Sequence, residues 1–156
     1  MPIANEFLRL LAGPARRLTA ARGVWDSTLQ LFMAAAAPDL CTVLIVEDDP
    51  DSREVLSRML SAGGCLVQAR ATVGEALLLL EEWEPSHVLL DLMLPDAGGI
   101  VLLRSVRRRN IPVRVAVVTG AGPESMAVEN AIRAGADAVF HKPLDFREIE
   151  EWLELV

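Results

Sequence analysis

The sequence lacks several features that would assign it to common functional classes. It contains no tyrosine, and aromatic residues make up only 4% of its 156 residues. Its two cysteines, Cys41 and Cys65, are too few for a disulfide framework and lack metal-ligand spacing, which suits a reducing compartment such as the cytoplasm. Continuous apolar runs are much shorter than the ~18–20 residues of a membrane-spanning helix, so we expect no membrane span.

Basic residues are also in deficit. Lys and Arg number 15 against 22 Asp and Glu, which gives a formal net charge of −7. This sign disfavours direct binding to the phosphate backbone of nucleic acids. The composition is that of a globular protein, with 52% hydrophobic and 24% charged residues. The length suits one domain of ordinary size.

Charge is unevenly distributed along the chain and predicts two structural units. Residues 1–40 carry a net charge of +1, whereas residues 41–156 carry −8. Within 1–40, a helix is predicted from Asp26 or Ser27 through an alanine run that ends at Pro38. We expect this extension to be either a docking or dimerising helix or a poorly ordered tail, and its role stays open.

Residues 41–156 alternate between short apolar runs and amphipathic segments. The runs predict buried strands, and the segments between them have the 3.6-residue periodicity of helices. The predicted strands are 42–46, 65–69, 87–92, 113–118 and 138–140, and the predicted helices are 52–62, 72–83, 100–109, 124–134 and a last one after Asp145. This alternation predicts an α/β fold with a doubly wound, five-stranded parallel sheet.

Polar side chains occur where these strands end, and all carboxyl ends of parallel strands lie along one edge of the sheet. They are Glu47, Asp48 and Asp49 after the first strand, Asp91 at the third, Thr119 at the fourth and Lys142 at the fifth. Clustered carboxylates repel one another, and Mg²⁺, which prefers oxygen ligands, would relieve that repulsion. One carboxylate could then act as a nucleophile toward a phosphoryl group.

Taken singly, the same residues have ordinary structural interpretations. Asp49 or Asp51 can cap the following helix, and Lys142 can be a solvated surface charge. His87 and His141 are expected to be structural or exposed, and we assign neither a functional role. The combination of suitable groups at four strand ends favours the functional interpretation.

Residues 42–156 resemble a two-component response-regulator receiver domain, a family with a flavodoxin-like (βα)5 fold. The resemblance is carried by the segments VLIVEDDPDSREVL, LLDLMLPDAGG, VVTGAG and FHKPL, which occur in the family's order. It covers the whole second unit. It implies a bacterial phosphoprotein of a phosphorelay that accepts a phosphoryl group from a histidine kinase or phosphotransfer protein, and that is not an enzyme.

The resemblance also implies an acceptor and a metal site. Asp91 would be the phosphoacceptor, and Glu47 and Asp48 would be the acidic pair that holds Mg²⁺. Asp48 would be the more direct ligand, and the main-chain carbonyl of Met93, two residues past the acceptor, would be a further protein ligand.

The switch residues implied by the resemblance are only partly present. Thr119 would be the switch hydroxyl and Lys142 the cation that contacts the phosphoryl group, with a cis bond before Pro143. The family often has Tyr or Phe three residues before the lysine, but this chain has Val139 there and Phe140 one place later. A valine cannot make the same large rotation. Either the surface of the fourth helix, fifth strand and fifth helix signals differently, or Phe140 partly takes over.

Two further expectations concern turnover and output. Met93 and Ala121 lie two residues beyond the acceptor and the switch threonine, and neither can orient an attacking water, which predicts slow autodephosphorylation. Because the chain ends at Val156, shortly after the last predicted helix, we expect a stand-alone receiver. Its output would pass through contact with an unknown downstream protein, and dimerisation is a further option.

Two other function classes compete with this interpretation. A pseudo-receiver would be an interaction module that no longer uses phosphate, but such domains usually lose an acid, the acceptor or the lysine, all of which are present here. A phosphatase with an aspartyl nucleophile typically has a second Asp two residues later as its proton donor, where this chain has Met93.

Overall fold

A computed structural model of the chain describes residues 40–155, and the helix predicted before Pro38 lies outside the described residues. Strands and helices alternate in the order β1 (Thr42–Val46), α1 (Pro50–Ala62), β2 (Leu66–Arg70), α2 (Val73–Glu82), β3 (His87–Asp91), α3 (Gly99–Arg108), β4 (Arg114–Thr119), α4 (Met126–Arg133), β5 (Ala138–His141) and α5 (Phe146–Trp152). All strand pairs are parallel, in the order β2-β1-β3-β4-β5. The predicted doubly wound sheet is confirmed.

No helix within 40–155 has the length and apolarity to cross a membrane.

Several element boundaries differ from the predicted ones by one or two residues. Helix α1 begins at Pro50 and not at Ser52, because the Asp49 side chain accepts a hydrogen bond from the Ser52 amide at 2.7 Å and a proline suits the first helical position. Strand β4 extends to Thr119, so this threonine is the last residue of the strand and does not follow it.

The sheet has an apolar core on each face. Alternation along the buried strands places Leu44 and Val46 on one face and Val43 and Ile45 on the other. Helices α2, α3 and α4 cover the first face with residues that include Val73, Ala76, Leu80, Leu102, Leu103, Val106 and Ala131. Helices α1 and α5 cover the second face. The strand order reverses between β1 and β3, where folds of this kind have their ligand sites.

The two cysteines are joined by a disulfide, which the sequence analysis did not predict. Cys41 precedes β1 and Cys65 precedes β2, and these strands pair with Thr42 opposite Leu66. This register brings the cysteine α-carbons to 4.7 Å. Cysteine number and spacing gave no indication of this single bridge, because the pairing depends on sheet register.

His87 lies at the amino-terminal edge of the sheet, away from the strand ends that carry the acidic residues. It is 9% exposed and packs edge-on against Trp152 at 4.8 Å between ring centroids. Its Nδ1 lies 2.9 Å from Ser86 Oγ, which also contacts the Thr42 carbonyl at 2.8 Å. Burial lowers the pKa of His87, nearby Arg114 lowers it further, and Glu154 and Asp137 oppose the shift.

We predict that His87 makes the folded state sensitive to acid. Folding lowers the pKa of the imidazole below its ordinary value of 6.5, so in acid the unfolded chain binds a proton that the folded chain does not. The contribution of neutral His87 to the free energy of unfolding is fully present above pH 6.5. It is lost as the pH falls through 6.5 toward the pKa of the folded state, by up to ~1.4 kcal/mol per pH unit. Urea unfolding at about pH 7.5 and about pH 5.5 should show a smaller acid-induced loss in His87→Gln than in wild type.

The exposed His141 provides the matched histidine-to-glutamine control. An equal acid-induced loss in wild type and His87→Gln would contradict the assignment.

Candidate functional site

Three carboxylates converge where β1 and β3 end. Glu47 and Asp48 directly follow β1, and Asp91 is the last residue of β3. Each offers one carboxylate oxygen within 4.8 Å of the others. Glu47 and Asp91 are 2% and 5% exposed, whereas Asp48 is open to solvent. The site therefore has a buried floor of two acids and one accessible acid at its rim.

Lys142, the only lysine in the chain, neutralises part of this charge. Its Nζ lies 2.6 Å from Asp91 Oδ2 and 3.0 Å from Glu47 Oε2. The lysine directly follows β5, and its amide donates to the Thr119 carbonyl at 2.8 Å. The Lys142–Pro143 bond is cis, as the family resemblance implied.

The ionisation of Glu47 and Lys142 reflects their contact with each other and the partial loss of solvent around both groups. Burial raises the pKa of Glu47, against hydrogen bonds from Lys142 and the Asp49 amide, and the Asp91 charge raises it further. Burial opposes the charged form of Lys142, but its hydrogen bonds to Asp91 and Glu47 outweigh that effect and raise its pKa. Three carboxylates against one ammonium leave a formal charge of −2, which one divalent cation would neutralise. The oxygen-only donor set fits Mg²⁺.

The loop after Asp91 exposes Met93 beside this site. Asp91 Oδ1 accepts a hydrogen bond from the Met93 amide at 2.7 Å. The Met93 side chain is 76% exposed, whereas the flanking Leu92 and Leu94 are buried in the core. The backbone of Met93 is therefore held next to the Asp91 carboxylate by its own amide and by the leucines on either side.

Thr119 lies beside β5, the strand that precedes Lys142, and it is 1% exposed. Its Oγ1 accepts a hydrogen bond from the Ala121 amide at 3.0 Å. This contact uses a lone pair of the hydroxyl oxygen, so the O–H can still act as a donor to an incoming anion.

Phe140 and Val139 differ in their surroundings. Phe140 is 8% exposed and packs in the core on the α1/α5 face, 6.0 Å edge-on from Trp152. Val139 is half-buried on the other side of the strand. Whether Phe140 takes over part of an aromatic switch stays a prediction.

Two side chains near the site were not identified from the sequence. Arg53 on α1 donates from Nη1 to the carbonyls of Glu47 and Asp48, at 2.7 and 3.0 Å. His141 Nδ1 contacts the Ala121 carbonyl at 2.9 Å. Helix geometry could have indicated Arg53, because it lies just over one turn into α1 and can reach back to the preceding loop. His141 has no comparable sequence signal, since its contact joins the last residue of β5 to the loop after β4.

Gly99 allows α3 to begin in close contact with Asp91 at the end of β3. This close contact predicts that one added methyl group strongly destabilises the folded state. A β-carbon at Gly99 would overlap the Asp91 carbonyl oxygen. We expect Gly99→Ala to lower the free energy of unfolding by about 3 kcal/mol or more, because backbone atoms must move. Gly122→Ala is the control, since nothing lies within 4 Å of its added β-carbon. Similar urea unfolding curves for the two variants would contradict the prediction.

A family model described as the response regulator receiver domain matches residues 43–154. The chain belongs to this family. It is 33% identical over 108 residues to the acid tolerance regulatory protein ActR of Rhizobium meliloti, and 34% identical over 113 residues to the transcriptional regulatory protein FixJ of the same organism.

These alignments cover 69% and 72% of this chain but 55% of each relative, so the chain spans about half the length of these curated relatives. A CheY-like response regulator receiver domain from Methanospirillum hungatei has 31% identity and a TM-score of 0.67, with 74% of this chain and 94% of that chain covered. The signal receiver domain of a Luxo repressor protein from Vibrio parahaemolyticus has 26% identity and a TM-score of 0.68, with 74% and 88% covered. The flavodoxin-like receiver fold is thereby confirmed.

Proposed function

We propose that this receiver domain is a phosphorylation-dependent switch in a two-component phosphorelay, with Asp91 as the phosphoacceptor. The observation that carries the proposal is the Lys142 ammonium group, which lies against both Asp91 and Glu47 while Asp48 remains accessible. A pseudo-receiver has no need to keep such a costly arrangement of buried charges, whereas a phosphoacceptor needs each of them.

Phosphoryl transfer to Asp91 requires a bond from a carboxylate oxygen to phosphorus as the donor bond breaks. With a phosphohistidine donor, the phosphorus–nitrogen bond breaks and the imidazole leaves with its electron pair. After transfer, the Lys142 ammonium would donate its hydrogen bond to a phosphoryl oxygen and no longer to Asp91 Oδ2. The Thr119 hydroxyl would donate to another phosphoryl oxygen, which draws the loop that follows β4 toward the site.

Glu47, Asp48, Asp91 and the main-chain carbonyl of Met93 are the groups that would hold Mg²⁺. When bound, the ion would supply positive charge to the phosphoryl oxygens. Asp48 is the most accessible of the acids. The buried Glu47 would offset part of the positive charge of the ion from the interior side of the site. Arg53 would keep this acidic loop in place through its two carbonyl contacts.

The partners follow from this chemistry. The donor would be a histidine kinase or phosphotransfer protein, and the signal would pass to a downstream protein by contact. The aspartyl phosphate would favour one of two conformations through its differential contacts with Thr119 and Lys142. A phosphatase activity is disfavoured because position 93 offers a thioether and no proton donor.

We predict that acetyl phosphate with Mg²⁺ phosphorylates the wild-type protein and that Asp91→Asn abolishes the product. Asn has no carboxylate oxygen to attack phosphorus, and chelation of Mg²⁺ should also prevent the reaction. Phosphate-affinity gels and intact mass would measure it. Asp51→Asn is a matched control, because Asp51 is an exposed carboxylate in the first turn of α1. A wild-type protein that takes up no phosphate would favour the pseudo-receiver.

We also predict that the aspartyl phosphate persists, because Met93 and Ala121 cannot orient an attacking water. After removal of the phosphodonor, decay should be slow in wild type and roughly tenfold faster in Met93→Asn, whose amide can hold a water near phosphorus. Met59→Asn, at an exposed methionine on α1, should decay like wild type. Loss of phosphate from wild type within seconds would contradict the prediction.

A further inference from the structure

Asp96 ties the loop after the acceptor to a distant helix. Its Oδ1 accepts from the Val73 amide at 3.1 Å and its Oδ2 accepts from the Gly74 amide at 3.0 Å. These amides open α2, more than twenty residues earlier in the chain. The hydrogen bond from Gly74 lowers the pKa of Asp96 the most; burial opposes it, and the Val73 bond adds to it. A carboxylate on two free amides at a helix amino terminus is a favourable charge-assisted contact.

Helix α2 already has caps of its own. Thr72 Oγ1 accepts from the Glu75 amide at 3.2 Å, and Glu75 Oε2 accepts from the Ala71 amide at 3.1 Å. Thr72 thus caps one helix amide, and Glu75 accepts from the amide of the residue before the cap. Asp96 contacts neither of these amides. The helix therefore does not depend on Asp96 alone for capping. The main effect that we expect from the Asp96 contact is to restrain the loop that carries Asp96.

That loop is fixed at both ends but exposed in the middle. At its start, Leu92 and Leu94 are buried, and the Met93 amide contacts Asp91. At its end, the Gly99 amide donates to the Leu92 carbonyl at 3.0 Å. Residues 95–97 between these anchors are exposed. Asp96 is the described side chain that connects this exposed stretch to another element.

We infer that Asp96 is a positioning residue for the ion site, which fixes the loop so that the Met93 carbonyl stays at the acidic cluster. This inference rests on the proposed function, because Met93 is a ligand only if the site binds a divalent ion. Without Asp96, the exposed residues 95–97 would sample more conformations and would restrain the Met93 backbone less. The free energy needed to order the loop would then be subtracted from the binding free energy of the ion. By linkage, ion binding would also protect the first amides of α2.

Titration with Mn²⁺ followed by electron paramagnetic resonance measures ion affinity without phosphorylation. We expect Asp96→Ala to weaken Mn²⁺ binding by about threefold to tenfold, because the free energy needed to order the loop is then subtracted from the binding free energy. Asp96→Asn keeps one acceptor oxygen and should give a smaller loss. Thr72→Ala is the matched control, because it removes a cap from the same helix end without contact to the loop. It should lower stability but leave Mn²⁺ affinity unchanged.

Amide hydrogen exchange of the metal-free proteins provides a second readout. The Met93 amide should exchange faster in Asp96→Ala than in wild type, and at the wild-type rate in Thr72→Ala. Unchanged Mn²⁺ affinity in both Asp96 variants, or an equal loss in Thr72→Ala, would overturn the inference. A wild-type protein that binds no Mn²⁺ would overturn the proposed function, and unchanged Met93 exchange in Asp96→Ala would then separately overturn the role of Asp96 in holding the loop.

Discussion

The contact of Lys142 with Asp91 and Glu47 is the interaction on which the functional edge of the sheet depends. Two carboxylates that are almost completely buried would each cost several kcal/mol if they were unpaired. One ammonium group bridges both and joins the ends of β1, β3 and β5. The remaining charge of the three acids is negative, and the open Asp48 marks the side from which a cation can approach.

Sheet register determines that these groups meet. Val46 pairs with Leu90, so the next residues along the two strands, Glu47 and Asp91, lie side by side. Thr119 pairs with His141, which places Lys142 one residue beyond the threonine at the same edge. A slip of one residue would turn the buried side chains to the opposite face. The two apolar cores that resist such a slip therefore also maintain the geometry of the charged edge.

Within residues 40–155, the sequence was sufficient to predict the order and type of the ten elements, because buried parallel strands and amphipathic helices have distinct periodicities. It was also sufficient to indicate Glu47, Asp48, Asp91 and Lys142 as a group, since strand ends share an edge. It did not indicate the Cys41–Cys65 disulfide or the Asp96 contact with α2. Both depend on how separate segments pack, and no spacing along the chain encodes that distance.

The site divides into a rigid part and an adjustable part. Glu47 and Asp91 lie at the ends of strands that are buried on both faces, so their positions change only if the sheet does. Met93 and Ala121 lie on loops, and side chains from other elements restrain the surrounding backbone: Asp96 contacts α2, and His141 contacts the Ala121 carbonyl. Loops have the lower local stability, and conformational responses occur there preferentially. The side chain of Phe140 is packed in the core, so under the proposed function we expect the response in these restrained loops and not in the rotation of an exposed ring.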